Sequence, residues 1–244
     1  MIDWSHYVNT EKYTTVELLL FAGGCYLWVV VYMLYIHSIL KRKFLEAPIF
    51  AVCGNIGWEF AWSFPLRTDM GILLVRCYQI WFFFDLIIFW GAYTYGYKQV
   101  RTEALKPYLR PMLVAIALFH GYAFYTFAQS GLDTPIGANS AFLLNFALSM
   151  IYVFLLLQQR VLGQLGQVSL LIAWLKMIGT GTNTVFMNIH EEYAANTFLH
   201  FLSIMTTTVD CLYIYLVWKL KREALQPSVA SSASASARSA VATS

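Results

Sequence analysis

The chain has 244 residues, of which 59% are hydrophobic and only 12% charged. Soluble domains carry about 25% charged residues, and a mean hydropathy of +0.58 excludes an ordinary water-soluble globule. The net charge of +3 is not gathered into a basic patch interleaved with aromatics, which argues against a nucleic-acid partner.

Seven apolar stretches approach or exceed the roughly 20 helical residues that cross a bilayer core. They are 17–40, 48–66, 70–95, 111–130, 137–158, 167–189 and 197–219. The expected fold class is therefore all-α: a polytopic membrane protein built as a seven-transmembrane-helix bundle in contact with the lipid bilayer. Residues 1–222 read as one membrane domain. Residues 223–244, Ser/Ala-rich and low in complexity, read as a disordered tail.

The first span is followed by "KRKFLEAP". The second carries Glu59 among aromatic and small residues. The third, rich in aromatics ("CYQIWFFFDLIIFW"), holds Arg76 and Asp85. His120 lies in the fourth span and Asn145 in the fifth. Lys176 lies in the sixth and Asp210 in the seventh. An Arg, Lys or Asp at mid-helix costs about 2.5–3.5 kcal/mol on insertion scales, so such residues face the bundle interior and are functional candidates. The cysteines Cys25, Cys53, Cys77 and Cys211 sit in apolar runs without ligand spacing. They read as small core residues.

Lys and Arg alternate across the spans. Lys41, Arg42, Lys43, Lys98, Arg101, Lys106, Arg110, Arg160, Lys219, Lys221 and Arg222 fall on one side, and only Lys12 and Arg67 on the other. This predicts a cytoplasmic C-terminus and an N-terminus that is outside or lumenal.

Residues three or four apart share a helix face. Asn55, Glu59 and Ser63 form one polar stripe, with Trp62 beside it. Lys176, Thr180 and Asn183 form a second. Ser203, Thr206, Thr207, Asp210 and Tyr213 form a third. Each has a plain structural alternative: Arg76 as an ion partner of Glu59, Lys176 neutralised by Asp85 or Asp210, and His120 as a hydrogen-bonded core residue. Asn145 reads as an ordinary interhelical donor.

Two segments carry more. "CGNIGWEF" places Asn55, Trp58 and Glu59 in the second span, and "TTTVDCLY" places Asp210 in the seventh. Asn-x-x-Trp-Glu paired with a late Thr-Val-Asp resembles the small integral-membrane terpene cyclases. These act in pyripyropene- and paspaline-type meroterpenoid pathways of fungi and drimentine-type pathways of bacteria. "WLKMIGTGTN" in the sixth span adds weaker support. The resemblance implies a membrane-bound terpene cyclase acting on a prenylated hydrophobic small molecule, with or without an epoxide, and with Glu59 and Asp210 as the essential acids.

That chemistry suits the residues. A carboxyl in an apolar pocket favours its neutral form and can protonate an epoxide or alkene. A second carboxyl can hold or resupply the proton, so Glu59 and Asp210 are expected to face one interior cavity. Aromatic faces stabilise the carbocations that follow. Candidate substrate-binding residues are Asn55, Trp58, Trp62, Trp81, Tyr122, Lys176 and Tyr213. The sequence holds no DDxxD or DxDD motif, P-loop or dinucleotide fingerprint, so no metal and no cofactor is expected. The other readings are a seven-helix receptor or sensor for a hydrophobic ligand, and a proton-coupled transporter. Short loops speak against the first, and aromatic walls against the second.

Overall fold

The structure is a computed structural model that describes residues 7–100 and 102–225. Among these residues there is no strand. Eight α-helices occur: α1 (Thr15–Arg42), α2 (Ile49–Ser63), α3 (Ile72–Tyr95), α4 (Leu109–Gln129), α5 (Ala138–Val161), α6 (Leu170–Ile189), α7 (Glu191–Ala194) and α8 (Thr197–Leu225). The last helix reaches Leu225. Residues 226–244, where most of the tail is expected, lie outside the described residues.

Six helices are long and apolar enough to cross a membrane, which makes the chain an all-helical multi-pass membrane protein. The expected count of seven is not met by length and composition alone. The helix that falls short is α2. Pro48 precedes it and Pro65 follows it, and its 15 residues rise about 22 Å against a hydrocarbon core of about 30 Å. It is also the most enclosed helix, with only Asn55 half-buried and Phe50 and Phe60 exposed. The eighth helix is α7, a single turn between α6 and α8.

α1 packs on α6 and α3, α2 on α3 and α5, and α8 on both α5 and α6. These six helices close a ring, and α4 packs against α2 from outside it. Glycines permit the close contacts. A Cβ on Gly57 of α2 would lie 2.7 Å from the Gly121 amide of α4, and one on Gly24 of α1 would lie 2.2 Å from Asn183 Oδ1 of α6. Small residues let backbones approach where water cannot drive helices together.

Polar clusters close both ends of the ring. At one end Thr14 and Glu17 form a capping box at the start of α1, satisfying N–H groups that a helix terminus leaves open. Glu17 Oε1 also lies 3.0 Å from His190 Nδ1. Beside it the Tyr13 hydroxyl donates to Asp69 at 2.8 Å and contacts the Tyr193 hydroxyl at 2.8 Å. At the other end the Gln99 amide donates to the carbonyls of Leu45 and Ala47, each at 2.9 Å. There Glu46 accepts from Arg42 at 3.1 Å and from the Ser169 amide.

Candidate active site

Glu59 lies in the ring interior, 4% exposed. It projects from α2 onto a cavity of about 140 Å³ whose aromatic lining is Phe21, Trp28, Tyr32, Trp58, Tyr78, Trp81 and Phe142. Asn55, one turn earlier on α2, lines the same space, as do Asn145 and Thr180 and, from α6, Asn183. Three buried oxygens on this cavity have no hydrogen-bond partner among the described residues: Glu59 Oε2, Asn145 Oδ1 and Asn183 Oδ1. Leaving such atoms unpaired costs about 1–3 kcal/mol each. All three belong to residues that line one largely apolar space, with Asn183 Oδ1 packed against Gly24 of α1.

Trp58 is held in place by a chain of hydrogen bonds. Its indole N–H donates to Ser140 Oγ at 2.8 Å, and Ser140 donates to Asp133. Asp133 sits in the loop before α5, accepting the amides of Thr134, Asn139 and Ser140 at 2.9, 3.0 and 3.2 Å. Burial pushes the Asp133 carboxyl above the usual range, although these hydrogen bonds pull the other way. Tyr78 meets Trp58 edge-on with ring centroids 5.3 Å apart, and its hydroxyl donates to the Ile136 carbonyl at 3.0 Å.

Asp210 does not share this cavity, which corrects the expectation that it and Glu59 face one space. It lies one layer behind the wall, paired with Lys176 at 2.6 Å. Lys176 donates to Ser149 at 2.6 Å, and Ser149 donates to the Asn145 carbonyl at 2.8 Å. The Asn145 side chain donates to Thr180 Oγ1 at 2.8 Å. A polar chain thus runs from Asp210 to two residues of the cavity wall. The reason is electrostatic: a buried ammonium needs a counter-ion, and α8 supplies the carboxylate opposite α6.

A different carboxyl stands next to the Glu59 environment. Asp85 of α3 is 1% exposed and neither of its oxygens has a partner among the described residues. It lines a small void of about 10 Å³ with Tyr35 and Tyr152, whose hydroxyls hydrogen-bond to each other. Trp28, Tyr32, Asn55 and Leu148 line both this void and the Glu59 cavity. Tyr32 lines the void beside Asp85 and the cavity beside Glu59. A void of this size approaches that needed for a single water.

The remaining candidates separate by depth. Asn55, Trp58 and Trp81 line the cavity. Trp62 does not: it is buried against Gly137, where a Cβ would lie 2.4 Å from its ring. Lys176 belongs to the layer behind the wall. Tyr213 lies there too, its ring centroid 5.3 Å from that of Tyr152. Tyr122 is 70% exposed on the outer face of α4, because only α2 packs closely on that helix. Thr207 is also exposed, bonded to the Ser203 carbonyl of its own helix. Arg76 is exposed and donates to Gln79 at 2.8 Å, not to Glu59, so the ion-pair alternative for Glu59 is absent. His120 is half-buried on α4 and bonds the Ile116 carbonyl of its own helix at 2.8 Å, so it makes the hydrogen bond considered for it but does not sit in the core. The sequence reading missed Trp28, Tyr32 and Tyr78 as site residues, because each sits in a span whose other positions are also apolar or aromatic; it named Asp85 as an interior candidate but gave it no role at the site.

A membrane-embedded helical ring enclosing a carboxyl among aromatic faces defines a class: a multi-pass helical protein with a largely apolar, aromatic-walled interior cavity. The comparisons with known proteins are specific. The profile of the family described as Pyr4-like transmembrane terpene cyclases matches residues 5–223, and the chain belongs to that family. It is 20% identical to the terpene cyclase spyD of Aspergillus fumigatus over 207 residues, covering 79% of this chain and 83% of that protein. It is 27% identical to the Pyr4-family terpene cyclase mfmH of Annulohypoxylon moriforme over 88 residues, covering 36% of this chain and 35% of that protein. No solved structure matches the chain. The protein is a membrane-bound terpene cyclase.

Proposed function

We propose that Glu59 initiates cyclisation by donating its proton to the terminal epoxide or alkene of a prenylated substrate. The observation that carries this reading is its carboxyl, buried on the aromatic-walled cavity with one oxygen unpartnered. For an epoxide, the Glu59 O–H bond breaks as the proton joins the ring oxygen. The C–O bond then opens, and the π electrons of the next alkene form the new C–C bond. The final cation loses a proton, which restores the acid pool and leaves a product of the same mass as the substrate. Trp58, Trp81, Tyr32 and Tyr78 stabilise the moving positive charge through their ring faces. Asn145 and Asn183 accept from the hydroxyl formed at the opened end.

In this reading Asp85 shares the proton with Glu59, through Tyr32 and a water in the small void. Asp210 acts at one remove, fixing Lys176, Ser149 and through them Asn145. The short helix α2 counts as the seventh crossing, sheltered from lipid by its neighbours, and the Lys/Arg alternation supports a cytoplasmic C-terminus. Neither a metal nor an organic cofactor enters the steps.

The test incubates membranes holding the chain with prenylated and epoxidised prenylated arenes and seeks isomers of equal mass. Conversion by wild type and its loss in Glu59→Gln, at equal protein level, is the expected result. Conversion by Glu59→Gln at the wild-type rate overturns the assignment.

A further inference from the structure

The Glu59 cavity is too small for the substrate that its chemistry requires. It measures about 140 Å³, and a cavity of about 150 Å³ holds a benzene. One five-carbon isoprene unit therefore fills it. Cyclisation joins carbons of at least two such units, so most of a prenyl chain must lie elsewhere.

A second space of about 420 Å³ lies between α1 and α3 and meets the first at Phe21, Cys25 and Trp81. Packing explains it. α1 and α3 touch tightly near Gly91, where a Cβ would lie 2.6 Å from Ile39 Cδ1. Towards the other end they splay, and Leu18–Val29 face Leu73–Phe84 across a groove. Its rim residues Tyr26, Leu73 and Ile80 are exposed on the outer surface of the ring, which in a membrane is the lipid-facing surface. Among the described residues no charged side chain lines it. A charged headgroup buried there would lack a partner at a cost of several kcal/mol, whereas a hydrocarbon chain would not.

We infer that the α1–α3 groove binds the prenyl chain of the substrate and admits it sideways from the bilayer, passing the reactive end by Trp81 to Glu59. This rests on the reading of the Glu59 cavity as the reaction site. A larger space of about 560 Å³ lies between α2, α3 and α4 around Phe60, Phe82 and Tyr122. It shares no lining residue with the Glu59 cavity, and the close contact of Gly57 with Gly121 closes α2 against α4 beside it. It does not lead to the acid.

Photo-cross-linking in membranes holding the full chain tests the groove. The probes are a farnesyl chain with a diazirine on its internal unit, behind the reactive end, and a palmitoyl diazirine of similar length. The expected result is farnesyl adducts on residues 18–29 and 73–84, at least fivefold above the palmitoyl probe. Ala22→Trp, which fills the groove, should lower these adducts at least fivefold, and Thr208→Trp on the exposed face of α8 should leave them unchanged. Ala22→Leu gives a partial loss if the tryptophan variant does not accumulate. Equal labelling by both probes, adducts indifferent to filling, or adducts gathered at Phe60, Phe82 and Tyr122 would overturn the proposal. Glu59→Gln separates the two readings. It should keep the groove adducts while losing cyclisation. Retained cyclisation would overturn the donor assignment, whereas lost groove labelling in wild type would overturn the portal.

Discussion

Lys176 Nζ lies 2.6 Å from Asp210 Oδ1, with the two side chains 3% and 4% exposed. Removing one member of such a pair strands the other charge and costs about 3–5 kcal/mol, while replacing both with apolar groups of similar size is often neutral or stabilising. Asp210→Asn should therefore lower the thermal midpoint of the detergent-solubilised protein, and Lys176→Met/Asp210→Leu should recover it. Cyclisation should remain at least tenfold down in the double variant, because the Lys176–Ser149 contact that steadies Asn145 is gone. A double variant that recovers both stability and rate would reduce Asp210 to a counter-ion.

Glu59→Gln removes an acidic proton but little packing. Since Glu59 Oε2 has no partner to lose among the described residues, thermal stability should stay close to wild type. Activity should fall by about 10²–10⁴-fold, the usual contribution of a positioned acid. Parallel melting and product assays check this, and a large loss of stability would point to a structural role instead.

The role proposed for Asp85 sets function against stability. Neither carboxyl oxygen has a partner among the described residues, so Asp85→Leu removes an unsatisfied buried group and should raise the melting temperature. It should also cut cyclisation at least tenfold, and Asp85→Asn should shift the pH–rate profile. Full activity in Asp85→Leu would remove Asp85 from the proton path.

Glu46, in the loop between α1 and α2, makes stability depend on pH. Burial outweighs the Ser169 amide and Arg42 and lifts its carboxyl from 4.5 to about 7. A raised carboxyl favours folding in its protonated form. The contribution is full below pH 4.5 and is lost as pH rises through about 7. The gap corresponds to about 3 kcal/mol. The difference in melting temperature between wild type and Glu46→Gln should change across pH 4.5–7.5, with wild type losing ground as pH rises. A constant difference would contradict the assignment.

Apolar length, Lys/Arg placement and the Asn55–Trp58–Glu59 and Thr208–Val209–Asp210 segments were enough to read a helical membrane enzyme of this family, because bilayer thickness and charge cost act on each span separately. Asn55 and Glu59 were legible as one face for the same local reason, the helical repeat. What faces what was not. Glu59 and Asp210 both read as interior acids, yet only packing puts Lys176 opposite Asp210 and Asp85 beside the Glu59 cavity. Tyr122 and Tyr78 are both tyrosines in apolar helices; one is 70% exposed and the other 2%. In a bilayer, lipid-facing and core-facing positions are equally apolar, so hydropathy cannot distinguish them. The neighbours that decide it come from helices far apart in the chain, and so does the splay of α1 from α3.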